Sequence, residues 1–155
     1  MKVGIVYFSL TGNTHRLAGD ITERLRAEGG EVTLYRLAES RQYSFLGNCL
    51  RSLFRIKGNV EGVDFNPVDY DFILLGSPVW AGSPAPALNT FLEKVSPLSG
   101  KSVCLFVTYG SGLGKDRALR IMKEKVEGKG GQVTQMLSVC EKEPFMEVVK
   151  RFKFE

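Results

Sequence analysis

The residues best suited to chemistry lie near the amino terminus, in Ser9-Leu10-Thr11-Gly12-Asn13-Thr14. Four of these six carry a hydroxyl or an amide side chain, and none is charged. They follow an apolar run and lead into a helix-period segment. A helix start leaves several backbone N–H groups unpaired at the positive end of the helix dipole. A phosphate placed there is bound by those amides and by the hydroxyls of Ser9, Thr11 and Thr14. Gly12 lets the backbone approach without a Cβ in the way. Plain N-capping would need one such residue rather than this cluster.

Competing nucleotide signatures fit poorly. A P-loop needs G-x-x-x-x-G-K-[ST], which neither Gly12 nor Gly114-Lys115-Asp116 completes. The dinucleotide pattern G-x-G-x-x-G is absent after the first apolar run, and Gly110-x-Gly112-x-Gly114 is a partial echo in a later place. The expected ligand therefore ends in a phosphate monoester rather than a pyrophosphate.

Two further loops belong with the first. Gly76-Ser77-Pro78-Val79-Trp80-Ala81-Gly82 holds the one tryptophan, and Tyr109-Gly110-Ser111-Gly112-Leu113-Gly114 opens on a tyrosine. Each sits just past an apolar run, so Trp80 and Tyr109 are candidates to sandwich a flat conjugated ring. Packing into the core is the plainer alternative for either one. Together the loops describe a ligand with a phosphate at one end and an aromatic ring system at the other.

The elements that must position these loops alternate in type. Strands are expected at Val3–Phe8, Glu31–Tyr35, Phe72–Leu75, Val103–Thr108 and Gln132–Val139. GIVYF, FILL and VCLFV are near-continuous apolar runs, as strands covered on both faces should be, while the second and fifth are mixed like edge strands. Leu17, Ile21 and Leu25 mark a helix that stops at Gly29-Gly30. Leu88, Phe91, Leu92 and Val95 mark a second, Ala118, Ile121, Met122 and Val126 a third, and Phe145, Val148, Val149 and Phe152 a short terminal one. Strand–helix alternation argues a doubly wound five-stranded parallel sheet in one domain spanning 1–155. Ligands in such sheets bind beyond the carboxyl ends of the strands. All three loops fall there.

Residues 38 to 67 are less regular. Leu46, Cys49, Leu50, Leu53 and Phe54 share one helical face and Arg51 and Arg55 another. This reads as a helix covering the sheet, with a basic docking face for an acidic partner, a phosphate or a membrane headgroup as the alternative. Three widely spaced cysteines suit neither a disulfide framework nor a metal site, and Cys104 and Cys140 read as core residues. One histidine, His15, excludes a His-rich metal centre and reads as an exposed first-turn residue. Over 155 residues the net charge is +4, with 43% hydrophobic content. No apolar run approaches the ~18–20 residues of a membrane span. No signal peptide is visible, so a cytoplasmic location is expected.

On these residues the sequence resembles the flavodoxin family over most of its length. Ser9-Leu10-Thr11-Gly12-Asn13-Thr14 matches the family's (S/T)-x-T-G-x-T phosphate loop at every fixed position. Gly76–Gly82 looks like the loop beside one face of the isoalloxazine ring, and Thr108-Tyr109-Gly110-Ser111-Gly112 like the loop at its other face and pyrimidine edge. The resemblance implies strand order 2-1-3-4-5, a non-covalently bound FMN and one-electron transfer between redox protein partners. In that reading Thr11, Gly12, Asn13 and Thr14 anchor the phosphate with Ser9 assisting. Ser77, Pro78, Val79, Trp80, Ala81 and Gly82 flank the ring, with backbone groups near Ala81-Gly82 meeting N5. Thr108, Tyr109, Gly110 and Gly112 line the other side. No side chain is assigned as general acid or base, and neither nucleic acid nor a metal is expected. The basic balance makes acidic surfaces candidate partners. An NAD(P)H-dependent quinone or flavin reductase with the same FMN is the alternative, and a flavin-free interaction domain is a third.

Overall fold

A computed structural model describes residues 1–39 and 63–154. The expected basic helix, with Cys49, Arg51 and Arg55, lies outside the described residues, as does most of its flanking segment.

The chain alternates as its apolar pattern demands. Strand β1 (Lys2–Tyr7) leads to helix α1 (Asn13–Ala27), then β2 (Glu31–Arg36). After a 3-10 turn at Pro67–Asp69 come β3 (Phe72–Trp80), the two-residue β4 (Ser83–Pro84) and α2 (Pro86–Lys94). Then follow β5 (Ser102–Tyr109), α3 (Lys115–Gly128), β6 (Gln132–Cys140) and α4 (Phe145–Val149). The long strands form one parallel sheet in the order β2-β1-β3-β5-β6. This is the expected 2-1-3-4-5 arrangement, because β4 is a short antiparallel addition to β3. The mixed strands β2 and β6 lie at the edges, as expected.

Side chains alternate across the sheet, so it buries one set on each face. Val3, Ile5 and Tyr7 pack with Leu17, Ile21 and Leu25 of α1 and with Phe145, Val148, Val149 and Phe152. Val6 and Phe8 face Leu88 and Leu92 of α2 and Ala118, Met122 and Val126 of α3. Arg24 of α1 donates to the carbonyl oxygens of Val149 and Phe152, tying α1 to the last helix. Phe152 lies past the end of α4 yet is buried, so the terminal apolar stripe is kept with a shorter helix than its spacing suggests. Cys104 is in the core, but Cys140 is only half-buried, because it ends the edge strand β6.

The main departure is the length of β3. It was expected to end at Leu75, but it stays paired to β5 through Ser77↔Val107 and Pro78↔Thr108. The Phe8 N–H donates to the Gly76 carbonyl at 3.1 Å, so Gly76 points its polar groups toward β1. By strand alternation Pro78 points the same way, where β1 has already ended. A missing N–H there breaks no ladder bond.

Candidate functional site

The loops after β1, β3 and β5 meet at the carboxyl edge of the sheet. Between β1 and α1 the chain turns in five residues, Phe8 to Gly12. Gly12 caps α1 in the left-handed region at φ 99°, and a Cβ added there would meet nothing within 4 Å. The helix ladder begins with the Arg16 N–H donating to the Gly12 carbonyl at 2.9 Å. The amides of Asn13, Thr14 and His15 precede it, and no side chain caps them. An uncapped, uncrowded helix start is a cradle for an anion.

The hydroxyls around it are tied down. Ser9 is buried and its Oγ accepts from the Gly12 N–H at 3.2 Å, closing the loop on itself. Asn13 Nδ2 donates to Thr11 Oγ1 at 3.5 Å at the exposed lip. Thr14 and Thr108, both 1% exposed, meet Oγ1 to Oγ1 at 2.7 Å. His15 is exposed as expected, but its Nδ1 lies 2.5 Å from the hydroxyl of buried Tyr7. Burial pushes the Tyr7 hydroxyl above its ordinary pKa, with the Arg36 guanidinium pulling the other way. Tyr7 thus stays a neutral hydroxyl, and the tautomer of His15 sets which partner donates.

The second loop is a hairpin. Val79 pairs with Pro84 and Trp80 with Ser83, leaving Ala81 and Gly82 as a two-residue tip at φ 47° and 71°. Positive φ at both central positions matches the twist of a hairpin. Ala81 is the non-glycine residue held there among the described residues, at a cost of about 1 kcal/mol. Ser77 is fully buried: its Oγ accepts from the Ala85 N–H at 2.8 Å and donates to the Pro78 carbonyl at 2.9 Å. It shapes the hairpin from beneath.

Trp80 departs from the expected role. As a strand residue it turns back into the core, 4% exposed and edge-on to Phe8 at 5.5 Å between ring centroids. A ring buried this far offers no open face for stacking. Tyr109, half-buried at the end of β5, keeps its candidacy as a platform. Its carbonyl accepts from the Glu141 N–H at 2.9 Å, and Lys115 Nζ lies 4.9 Å from its ring centroid.

The hairpin and the third loop are locked together. A Cβ on Gly114 would sit 2.4 Å from the Gly82 Cα, so the two backbones touch as only glycines permit. Arg117 Nη1 donates to the Gly82 carbonyl at 2.9 Å and to Ser83 Oγ at 3.0 Å. Neither Arg117 nor Arg36 was singled out from the sequence. Arg36 Nη2 donates to the Ser9 carbonyl at 3.3 Å, across 27 residues of chain.

Comparison with known proteins agrees with this fold. Residues 1–137 match the NADPH-dependent FMN reductase family. The flavodoxin of Megasphaera elsdenii is 30% identical over 134 residues, covering 84% of this chain and 80% of that protein. Its two-electron reduced solution structure superposes with a TM-score of 0.64, at 26% identity over 96% of this chain and 98% of that one. A flavoprotein from Lactobacillus acidophilus, solved in complex with FMN, gives a TM-score of 0.70 at 24% identity, covering 88% and 92% of the two chains. The protein is thus a flavoprotein of flavodoxin-like fold that binds FMN. It belongs to the NADPH-dependent FMN reductase family. No helix among the described residues is long and apolar enough to cross a membrane.

Proposed function

We propose that the protein is an electron carrier, passing electrons one at a time between protein partners. The carrying observation is the rim of the site. Leu113 is 81% exposed and Leu10 37% exposed, each on a loop beside the carboxyl edge of the sheet. Apolar side chains presented to solvent around a redox site suit transient docking of another protein. The net charge of +4 favours an acidic partner surface.

Bound FMN supplies the redox chemistry, and the protein's part is to hold and orient it. The amides of Asn13, Thr14 and His15 hold the phosphate, with Thr11 at the lip and Ser9 fixing the loop. Ala81 and Gly82 bring backbone groups against one side of the ring. Tyr109 packs on the ring, with Gly110 and Gly112 bringing amides to its edge. Thr108 acts through Thr14, holding the helix start against β5.

The family match favours a second reading, an NAD(P)H-dependent flavin or quinone reductase. Anaerobic titration of the FMN-loaded protein separates the two. A carrier takes up its electrons in two resolved one-electron steps and oxidises NADPH negligibly in the presence of a quinone. A single two-electron step with sustained NADPH oxidation would establish the reductase.

A further inference from the structure

We infer that Arg36 is the counter-cation of the FMN phosphate and sets the protein's preference for FMN over riboflavin. This rests on residues 9–14 holding the phosphate.

The loop itself carries no charge. A phosphate monoester carries about −1.5 to −2 at neutral pH, whereas a helix start offers the equivalent of roughly +0.5. Amides and hydroxyls alone therefore leave a net negative charge at the edge of the sheet. Arg36 is placed to offset it. It ends β2 in register with Tyr7, the last residue of β1, so its side chain starts at the same edge as the loop. Its guanidinium crosses to the loop and donates to the Ser9 carbonyl. Its positive charge is felt at the Tyr7 hydroxyl, where it opposes the effect of burial. That hydroxyl in turn bonds His15, whose amide is one of the uncapped donors. Arginine has five N–H donors in a fixed fork, and the Ser9 bond takes one. The remaining fork suits phosphate oxygens, and Arg36 is exposed.

A purely structural Arg36 would only pin the Ser9 carbonyl. The two roles differ in what they do to ligands with and without a phosphate. Dissociation constants for FMN and riboflavin can be read from flavin fluorescence on the flavin-stripped full chain, at low and high salt. They are compared for the wild type, Arg36→Gln and Arg36→Lys.

Arg36→Gln should weaken FMN about tenfold, flatten the salt dependence of FMN binding, and leave riboflavin within about twofold. Arg36→Lys should keep most of the FMN preference. Riboflavin binding reports that each variant is folded. Equal loss of both ligands, or an unchanged FMN-to-riboflavin ratio in Arg36→Gln, would reduce Arg36 to a clamp on the loop. A wild type with no preference for FMN would overturn the phosphate-loop reading itself, and the role of Arg36 with it.

Discussion

Thr14 and Thr108 share a hydrogen bond of 2.7 Å between their hydroxyls, joining the first turn of α1 to the last stretch of β5. Both are sealed from solvent, so each hydroxyl would be costly to leave alone. The bond fixes the first turn of α1, and with it the amides at the helix start, against β5.

Thr14→Val and Thr108→Val should each destabilise the protein by about 1–2 kcal/mol, since each strands its partner. The double variant should lose less than the sum, with a coupling of about 1 kcal/mol in a chemical-denaturation cycle. Additive losses would show that the two hydroxyls do not depend on one another. Both single variants should also weaken FMN more than riboflavin, because either one loosens the helix start that holds the phosphate.

The contact between Gly82 and Gly114 makes a second prediction. Gly114 is at φ 76° and has no room for a Cβ. Gly114→Ala should therefore cost about 2–4 kcal/mol in thermal or urea unfolding. Arg117→Ala removes the clamp on the hairpin without adding bulk, and should cost about 1–2 kcal/mol. Its flavin affinity should fall for FMN and riboflavin alike, because it loosens the ring end of the site. A selective loss of FMN would place Arg117 with the phosphate instead.

The loop between β1 and α1 was legible as a candidate anion cradle because its signal is local: hydroxyls, an asparagine and one glycine between a strand and a helix. The central and edge strands were legible because both-face burial writes continuous apolar runs into β1, β3 and β5, whereas their order came from the family resemblance. The end of β3 was not. Gly76-Ser77-Pro78 has the composition of a turn, and pairing to β5 overrides that composition. The Ala81-Gly82 tip was hidden by an alanine at a position that favours glycine or asparagine. Trp80 packs beside Phe8 with Ile73 and Leu75, on the face opposite the one that alternation from Phe72 and Leu74 would give it, so neither a loop reading nor the strand period foresees its burial. Arg36 and Arg117 were illegible for another reason. Each acts across a gap in sequence that only the register of the sheet and the packing of α3 close.

Cys104 gives a pH prediction. Burial pushes its thiol from an ordinary 9.0 up to about 12. Between those values the unfolded chain has lost a proton that the folded one keeps. Stability should thus fall as pH rises above 9, by up to about 1.4 kcal/mol per pH unit from this group. Cys104→Ala should flatten that part of the stability profile, measured by denaturant midpoint from pH 8 to 10. Native-state alkylation at the same pH should label half-buried Cys140 before Cys104. Rapid labelling of Cys104 would mean that the core of β5 opens readily.

Trp80 and Tyr109 separate the core from the ring platform. Trp80→Phe keeps an aromatic against Phe8 and should lower stability by about 1–2 kcal/mol, leaving flavin affinity unchanged within about twofold. Tyr109→Ala should weaken FMN and riboflavin together, by roughly three- to tenfold, because a stacked ring contributes about 0.5–1.5 kcal/mol beyond its buried area. It should also change the quenching of flavin fluorescence. Lys115→Ala tests the same face from the other side. Lys115 lies over the Tyr109 ring, so flavin must share that ring or displace the lysine from it. If flavin displaces it, Lys115→Ala should tighten both ligands by a similar factor. If Lys115 stays and meets the flavin edge, the same variant should loosen both. A loss of flavin affinity on Trp80→Phe with none on Tyr109→Ala would return the ring to the hairpin and require Trp80 to turn outward when FMN binds.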